Sequence, residues 1–230
     1  MKQAITLILI VTMLSACAPA KATPPASAET ALPTQSESIL QPSPTWLWSE
    51  IRDERFGFGL AIPCWWQYTK MPAEGILSTM TIRNYDDDFY ATYSENGVWK
   101  GRRAPQGVIS MDITVASDID PALSLVDAYL TLIDTETYSV VSTQDRNISD
   151  NIYTVVALKN QNNPNEQTSV IYLKGLTPDS ILIFKSYPTE AIFSTDAQVI
   201  LGTFASAQEQ EVVLPEVMPA PALISAACPF

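Results

Sequence analysis

Hydrophobic and polar positions alternate most cleanly over residues 108–115. There Ile109, Met111, Ile113 and Val115 interleave with Ser110, Asp112 and Thr114, the two-residue period of a half-buried strand. Residues 76–83 repeat the pattern with Ile76, Ser78, Met80 and Ile82 on one face. Ahead of both, Phe56-Gly57-Phe58-Gly59-Leu60-Ala61-Ile62 reads as a strand stopped by Pro63, since proline offers no N–H to a sheet ladder. After residue 120 the period changes. Leu123, Val126, Leu130 and Ile133 recur at helical spacing, with Asp120 placed as N-cap and Pro121 at the first helical position, where its missing N–H would have had no partner in any case.

Four more strands are predicted at 138–146, 152–159, 168–174 and 180–186. Their connections are short and rich in turn residues, as in Asn160-Gln161-Asn162-Asn163-Pro164-Asn165 and Gly175-Leu176-Thr177-Pro178-Asp179. Links of that length join antiparallel neighbours, because a parallel crossover needs about a dozen residues or more. Val170-Ile171-Tyr172-Leu173 and Ile181-Leu182-Ile183-Phe184 are apolar on both faces, so their sheet needs cover on both sides. A second helix, capped by Ser194 or Thr195, supplies part of it with Ala197, Ile200, Leu201 and Phe204 on one stripe. The order of three strands, helix, four strands, helix predicts an α/β fold of the α+β type. In it an antiparallel β-sheet is sandwiched between helices in a single domain over 46–207.

The two ends of the chain follow other rules. Lys2 and the apolar run 5–14 form a leader too short to span a bilayer, which takes about 20 residues. Leu14-Ser15-Ala16-Cys17 reads as a lipobox, so residues 1–16 are expected to be a lipoprotein signal peptide and Cys17 the lipidated N-terminus. Acyl chains would hold the protein to the membrane by burying methylenes at about 0.8 kcal/mol each. By resemblance to the sorted lipoproteins of two-membrane bacteria, Ala18 in place of aspartate argues against retention at an inner membrane; the expected location is the cell membrane or an outer membrane, lipid-anchored, on the periplasmic or cell-surface side. Residues 17–45 are the tether, with Pro19, Pro24, Pro25, Pro33, Pro42 and Pro44 among Ala, Ser and Thr. Such a segment stays extended and spans roughly 30 Å as a coil. Residues 208–230 carry Pro215, Pro219, Pro221 and Pro229 beside Val212, Val213, Leu214, Val217 and Leu223, and read as a proline-rich strap that lays apolar side chains on the domain.

The opening Phe56-Gly57-Phe58-Gly59-Leu60-Ala61-Ile62-Pro63-Cys64-Trp65-Trp66 resembles the entry to PsbP-like domains, an aromatic-Gly-Phe strand running into Pro-x-x-Trp. Ile200-Leu201-Gly202-Thr203-Phe204 is similar to the segment that closes them. The resemblance covers about residues 50–206. It implies an α/β/α sandwich and non-enzymatic work as an extrinsic photosystem subunit, an assembly factor or a partner-binding module. The matching positions are core and turn residues, so it carries over no functional residue.

Composition narrows the chemistry. The chain has no histidine, which removes Ser-His-Asp and Cys-His nucleophile pairs, His-ligated metal and the commonest general base near neutral pH. The formal charge is −12. Removing Lys2 with the leader leaves 12 basic against 25 acidic side chains, a balance of −13. A chain this acidic lacks the footprint of a nucleic-acid binder, and its hold on an anionic membrane must come from the acyl anchor.

Few groupings remain as candidate sites. With Cys17 lipidated, Cys64 and Cys228 form an even remainder outside the cytoplasm, which favours a disulfide over two free thiols. Asp86-Asp87-Asp88 runs into Phe89-Tyr90-Ala91, lacks the glycine and distal glutamate of a calcium loop, and reads as a solvated loop. No metal, cofactor or catalytic residue is expected. Twelve of the 21 aromatic residues fall between Trp46 and Trp99. Within the long 85–107 connection, Phe89, Tyr90, Tyr93 and Trp99 stand beside Arg102 and Arg103, residue types that suit a contact surface. These six are the candidate binding residues, with Trp99 as apolar centre and the arginines facing an acidic partner. The expected function is a membrane-anchored, non-enzymatic accessory or partner-binding lipoprotein. The alternative is a small-molecule or saccharide-binding lipoprotein with an aromatic cleft.

Overall fold

The structure is a computed structural model that describes residues 47–163, 167–206, 211–219 and 228, and only the backbone of Arg102. Every described residue belongs to the unit Gln41–Phe230. The leader, Cys17 and the tether lie outside the described residues.

Two sheets build the domain. β1 (Trp48–Asp53) and β2 (Phe58–Pro63) pair antiparallel, and β2 also pairs with the two-residue β12 (Ala205–Ser206). The larger sheet has seven antiparallel strands, β3 (Gln67–Lys70), β4 (Leu77–Arg83), β7 (Ser110–Ala116), β8 (Tyr138–Ile148), β9 (Asn151–Asn160), β10 (Ser169–Thr177) and β11 (Ser180–Tyr187), in the order β3-β4-β7-β11-β10-β9-β8. A small hairpin of β5 (Ser94–Glu95) and β6 (Val98–Trp99) stands apart. Three helices, α1 (Asp87–Tyr93), α2 (Leu125–Leu130) and α3 (Thr195–Gly202), complete the elements used below.

The seven strands expected from periodicity and turns are present, all antiparallel. β1 and β3 were not expected. On β1 the charged Glu50, Arg52 and Asp53 interrupt the apolar pattern. Asp53 is nonetheless buried, because its carboxylate accepts the N–H groups of Arg55 at 3.0 Å and Phe56 at 3.2 Å. β3 is a polar edge strand, and its register on β4, with Gln67 opposite Arg83 and Tyr68 opposite Ile82, gives it its shape. The first expected helix is shorter and later than its apolar spacing implies. Ser124, not Asp120, is the N-cap: its Oγ accepts the Asp127 N–H at 3.1 Å and donates to Asp127 Oδ2 at 2.6 Å. Asp120 instead accepts the Ala122 N–H in the preceding turn. α3 begins after Ser194, as expected, with the Ser194 hydroxyl accepting the Ala197 N–H.

One face of the larger sheet is apolar along its length. The cross-strand row Met80, Ile113, Phe184, Tyr172 and Val155 packs with Phe58, Leu60 and Ile62 of β2 and with Ile200 and Leu201 of α3 into one buried core. On the opposite face Val156, Leu158, Ile171, Leu173, Ile181 and Ile183 pack with Ala128 and Tyr129 of α2. The antiparallel sheet therefore lies between helices, and the small sheet shares the α3 side. The expectation of a sheet buried on both faces holds over β9, β10 and β11. Over β4 and β7 the alternation expected of half-buried strands holds instead, and the α2-side positions are the half-buried Thr79, Thr81, Asp112 and Thr114. They satisfy one another, with Thr79 and Thr114 hydroxyls 3.0 Å apart and Thr81 donating to Asp112 at 2.7 Å.

The C-terminal segment runs back over the small sheet. Val212 is buried against Gly59, where an added Cβ would lie 2.5 Å from the Val212 Cγ2. Trp48 Nε1 donates to the Val217 carbonyl at 2.8 Å. Val213 and Val217 remain exposed, so only part of the expected strap is core. Cys64 and Cys228 are at disulfide distance, with Cα atoms 5.3 Å apart and a sequence separation of 164. A bridge over that span contributes up to about 5 kcal/mol in the chain-entropy model. Non-reducing peptide mapping should recover the joined Cys64 and Cys228 peptides, and Cys64→Ser should lower the urea midpoint. Two free thiols, or an unchanged midpoint, would contradict the staple.

Candidate functional site

The connection between β4 and β7 is closed at its base. Asn84, buried, accepts the Ile109 N–H at 2.8 Å and donates to the Gly107 carbonyl at 2.7 Å. The two ends of the excursion are thus tied by one side chain. Beyond this knot the chain forms a helix and a hairpin. Asp86 is the N-cap of α1, its Oδ1 accepting the Phe89 N–H at 2.7 Å, and Asp87 pairs with Arg83 at 2.6 Å. The aspartate triplet expected as a solvated loop is the start of a helix, where carboxylates favour the N–H groups that lack partners. Asn96 and Gly97, both at positive φ, make the two-residue turn between β5 and β6 that such strands prefer.

This geometry folds the aromatic residues onto one another. Tyr85 is buried and meets Trp99 edge-on at 5.3 Å between centroids. Tyr90 meets Trp99 at 4.8 Å, and Phe89 meets Tyr93 at 4.7 Å. The Tyr90 hydroxyl donates to the Gly97 carbonyl at 2.7 Å, and Lys100 Nζ donates to the Thr92 carbonyl at 2.6 Å. Burial pushes the Tyr85 hydroxyl above its ordinary pKa, and Ser110 and Arg83 beside it partly offset that rise. Trp99 is therefore an inner member of a folded knob. Its outward apolar surface is Tyr93, 47% exposed, and Val98, 55% exposed, with half-buried Phe89 against Tyr93; Arg103, four residues after Trp99, is exposed. The Arg102 side chain lies outside the described residues.

The knob rises beside the polar half of the sheet. Arg83 lies over the Tyr85 ring at 5.4 Å, and Lys185 lies over the exposed Tyr187 at 5.1 Å. Register puts Gln67, Arg83, Ser110 and Tyr187 in one row and Thr81, Asp112 and Lys185 in the next. Sequence reasoning missed Asn84, Arg83 and this neighbouring face. Alternation marked Thr79, Thr81, Asp112 and Thr114 as polar positions, but not that they border the aromatic excursion. A cleft of about 960 Å3 is lined by residues outside 85–107. Among the described residues no group of three or more Cys, Asp or Glu is placed to hold a metal ion, and no helix is long and apolar enough to cross a membrane.

No family model matches this chain, and no curated protein matches it. Among solved structures it is similar to the solution structure of cyanobacterial PsbP from Synechocystis sp. PCC 6803, with a TM-score of 0.42 and 10% identity, over 76% of this chain and 99% of that one. A likeness of this size passes nothing to this chain about residues or function.

The knob's two kinds of aromatic residue are separable. Trp99→Ala removes two ring contacts and should destabilise the protein by about 1–2 kcal/mol, whereas exposed Tyr93→Ala should change stability by less than about 0.5 kcal/mol. Urea titration of both variants checks this, and equal losses would contradict the packing described.

Proposed function

We propose that this protein is a lipid-anchored, non-enzymatic accessory module that holds a protein partner on the extracytoplasmic side of a membrane. The observation that carries the reading is the aromatic knob. Its inner rings hold its own shape, and it turns Tyr93 and Val98 to solvent with cationic Lys100 nearby, bonded to the Thr92 carbonyl. A rigid apolar tip with a polar surround is the anatomy of a protein contact. A saccharide or small-molecule site would instead need open ring faces around a hollow, and Tyr85, Tyr90 and Trp99 fill that space with each other. The polar, hydrogen-bonded strip of β4 and β7 offers a partner a second, flatter contact.

Anchoring rests on the sequence. Leu14-Ser15-Ala16-Cys17 marks the lipid-carrying cysteine, and the proline-rich 17–45 segment gives the domain a reach of roughly 30 Å or more from the bilayer. The lack of histidine supports a role in binding over one in acid–base chemistry. A partner displaying carboxylates would pair with exposed Arg103 by paired hydrogen bonds.

Two measurements test the proposal. A photoreactive amino acid placed at Tyr93 should give one discrete adduct in native membranes, and the same group at Glu54 should give none. No adduct at Tyr93, or the same adduct from Glu54, would overturn the contact. Cys17→Ser should release the protein or leave its precursor uncleaved, and an unmodified mature Cys17 in the mass spectrum of the wild type would overturn the anchor.

A further inference from the structure

Lys174 is the chain's misplaced charge. Its position on β10, opposite Leu182 of β11, points it to the same face as Tyr172, the apolar face of the sheet. Its ammonium group lies 5.0 Å from the Phe204 ring centroid and 5.4 Å from that of Tyr153. The ion pairs among the described residues join Arg52 to Glu50, Lys70 to Asp53 and Arg83 to Asp87, so among the described residues Lys174 has no carboxylate partner. Ring faces attract an ammonium ion but do not accept all of its protons, and burial lowers the pKa of this lysine. An amine held this way is stabilised by any carboxylate that reaches it.

The space for one is present. Lys174 opens into the cleft of about 960 Å3, a size typical of small-molecule sites. Its apolar lining includes Leu176, Val199, Phe204 and Val213, and Asp150, Glu211 and Glu216 line it as well. Val213 is 77% exposed, a cost in water that a bound apolar group would remove. The wall formed by 211–217 is held at one end by Val212 in the core and at the other by the Trp48–Val217 hydrogen bond, so this wall stands before anything enters.

We propose that this cleft binds a short apolar peptide with free ends. Its terminal carboxylate pairs with Lys174, its side chains cover the apolar lining, and its terminal ammonium faces the Asp150, Glu211 and Glu216 carboxylates. A polyanion is refused by those three acids in a protein of charge −12, and a simple cation by Lys174. A zwitterion with an apolar body satisfies both. The site uses no residue of the aromatic knob and does not depend on the partner contact proposed there.

Calorimetry of the full-length lipoprotein in detergent with trileucine, trileucine amide and N-acetyl-trileucine tests the assignment. Trileucine should bind with a saturable isotherm, and each blocked peptide about tenfold or more weaker. Lys174→Met, which keeps the apolar stem, should weaken trileucine by about the same factor and leave the amide unchanged. Glu211→Gln with Glu216→Gln should weaken trileucine and leave the acetylated peptide unchanged, a second arm that does not rely on the Lys174 variant folding. No binding of trileucine, equal binding of all three peptides, or losses that fall equally on free and blocked peptides would overturn the proposal.

Discussion

One apolar sheet face sets the terms for the rest of the molecule. Met80, Ile113, Phe184, Tyr172 and Val155 form a continuous row across five strands, and each such side chain gains about 1.5–3 kcal/mol on leaving water. A row that wide cannot be covered by α3 alone, a helix of eight residues. The remaining cover comes from the ends of the chain. The N-terminal β1–β2 hairpin lies on the sheet with Phe58, Leu60 and Ile62, and the C-terminal segment lies in turn on the hairpin through Val212. The sulfur pair Cys64–Cys228 and the Trp48–Val217 hydrogen bond hold that last layer where it is needed.

The second face is divided, and the division is where recognition has room. Over β9 and β10, α2 covers an apolar surface. Over β4 and β7 the same face is a ladder of threonines with Asp112, and the long excursion after β4 stands next to it. Asn84 closes that excursion with two hydrogen bonds, so the helix and hairpin beyond it form without support from the main core. The aromatic residues then serve two ends in one motif. Tyr85, Tyr90 and Trp99 hold it together, while Tyr93 and Val98 are left for contact.

Much of this was legible in sequence because strand period is a strong signal. Ile109, Met111, Ile113 and Val115 announced β7, and the doubly apolar 170–173 and 181–184 announced central strands. What escaped had no period to read. β3 is polar and takes its form from its neighbour. β1 carries a buried aspartate whose role as a turn acceptor is visible only when the turn is formed. The start of α2 was misjudged because Asp120 and Ser124 are both good caps, and the choice between them is made by the turn at Pro121 and Ala122. α1 was hidden by its aromatic content and by aspartates that look like a loop until Asp86 is seen capping it. Lys174 could have been flagged, since counting alternate positions from Tyr172 puts it on the inward face. What sequence cannot supply is the cleft that makes the position tolerable.

Stability resides in the sheet core, while the knob beyond Asn84 is a separate, locally folded unit. Native-state hydrogen exchange under increasing urea tests it most directly. The account predicts that amides of β7, β10 and β11 exchange only through global unfolding, with one common free energy. Amides of residues 87–99 should exchange through a smaller opening that is insensitive to urea at low concentration. A single free energy shared by knob and sheet would contradict it.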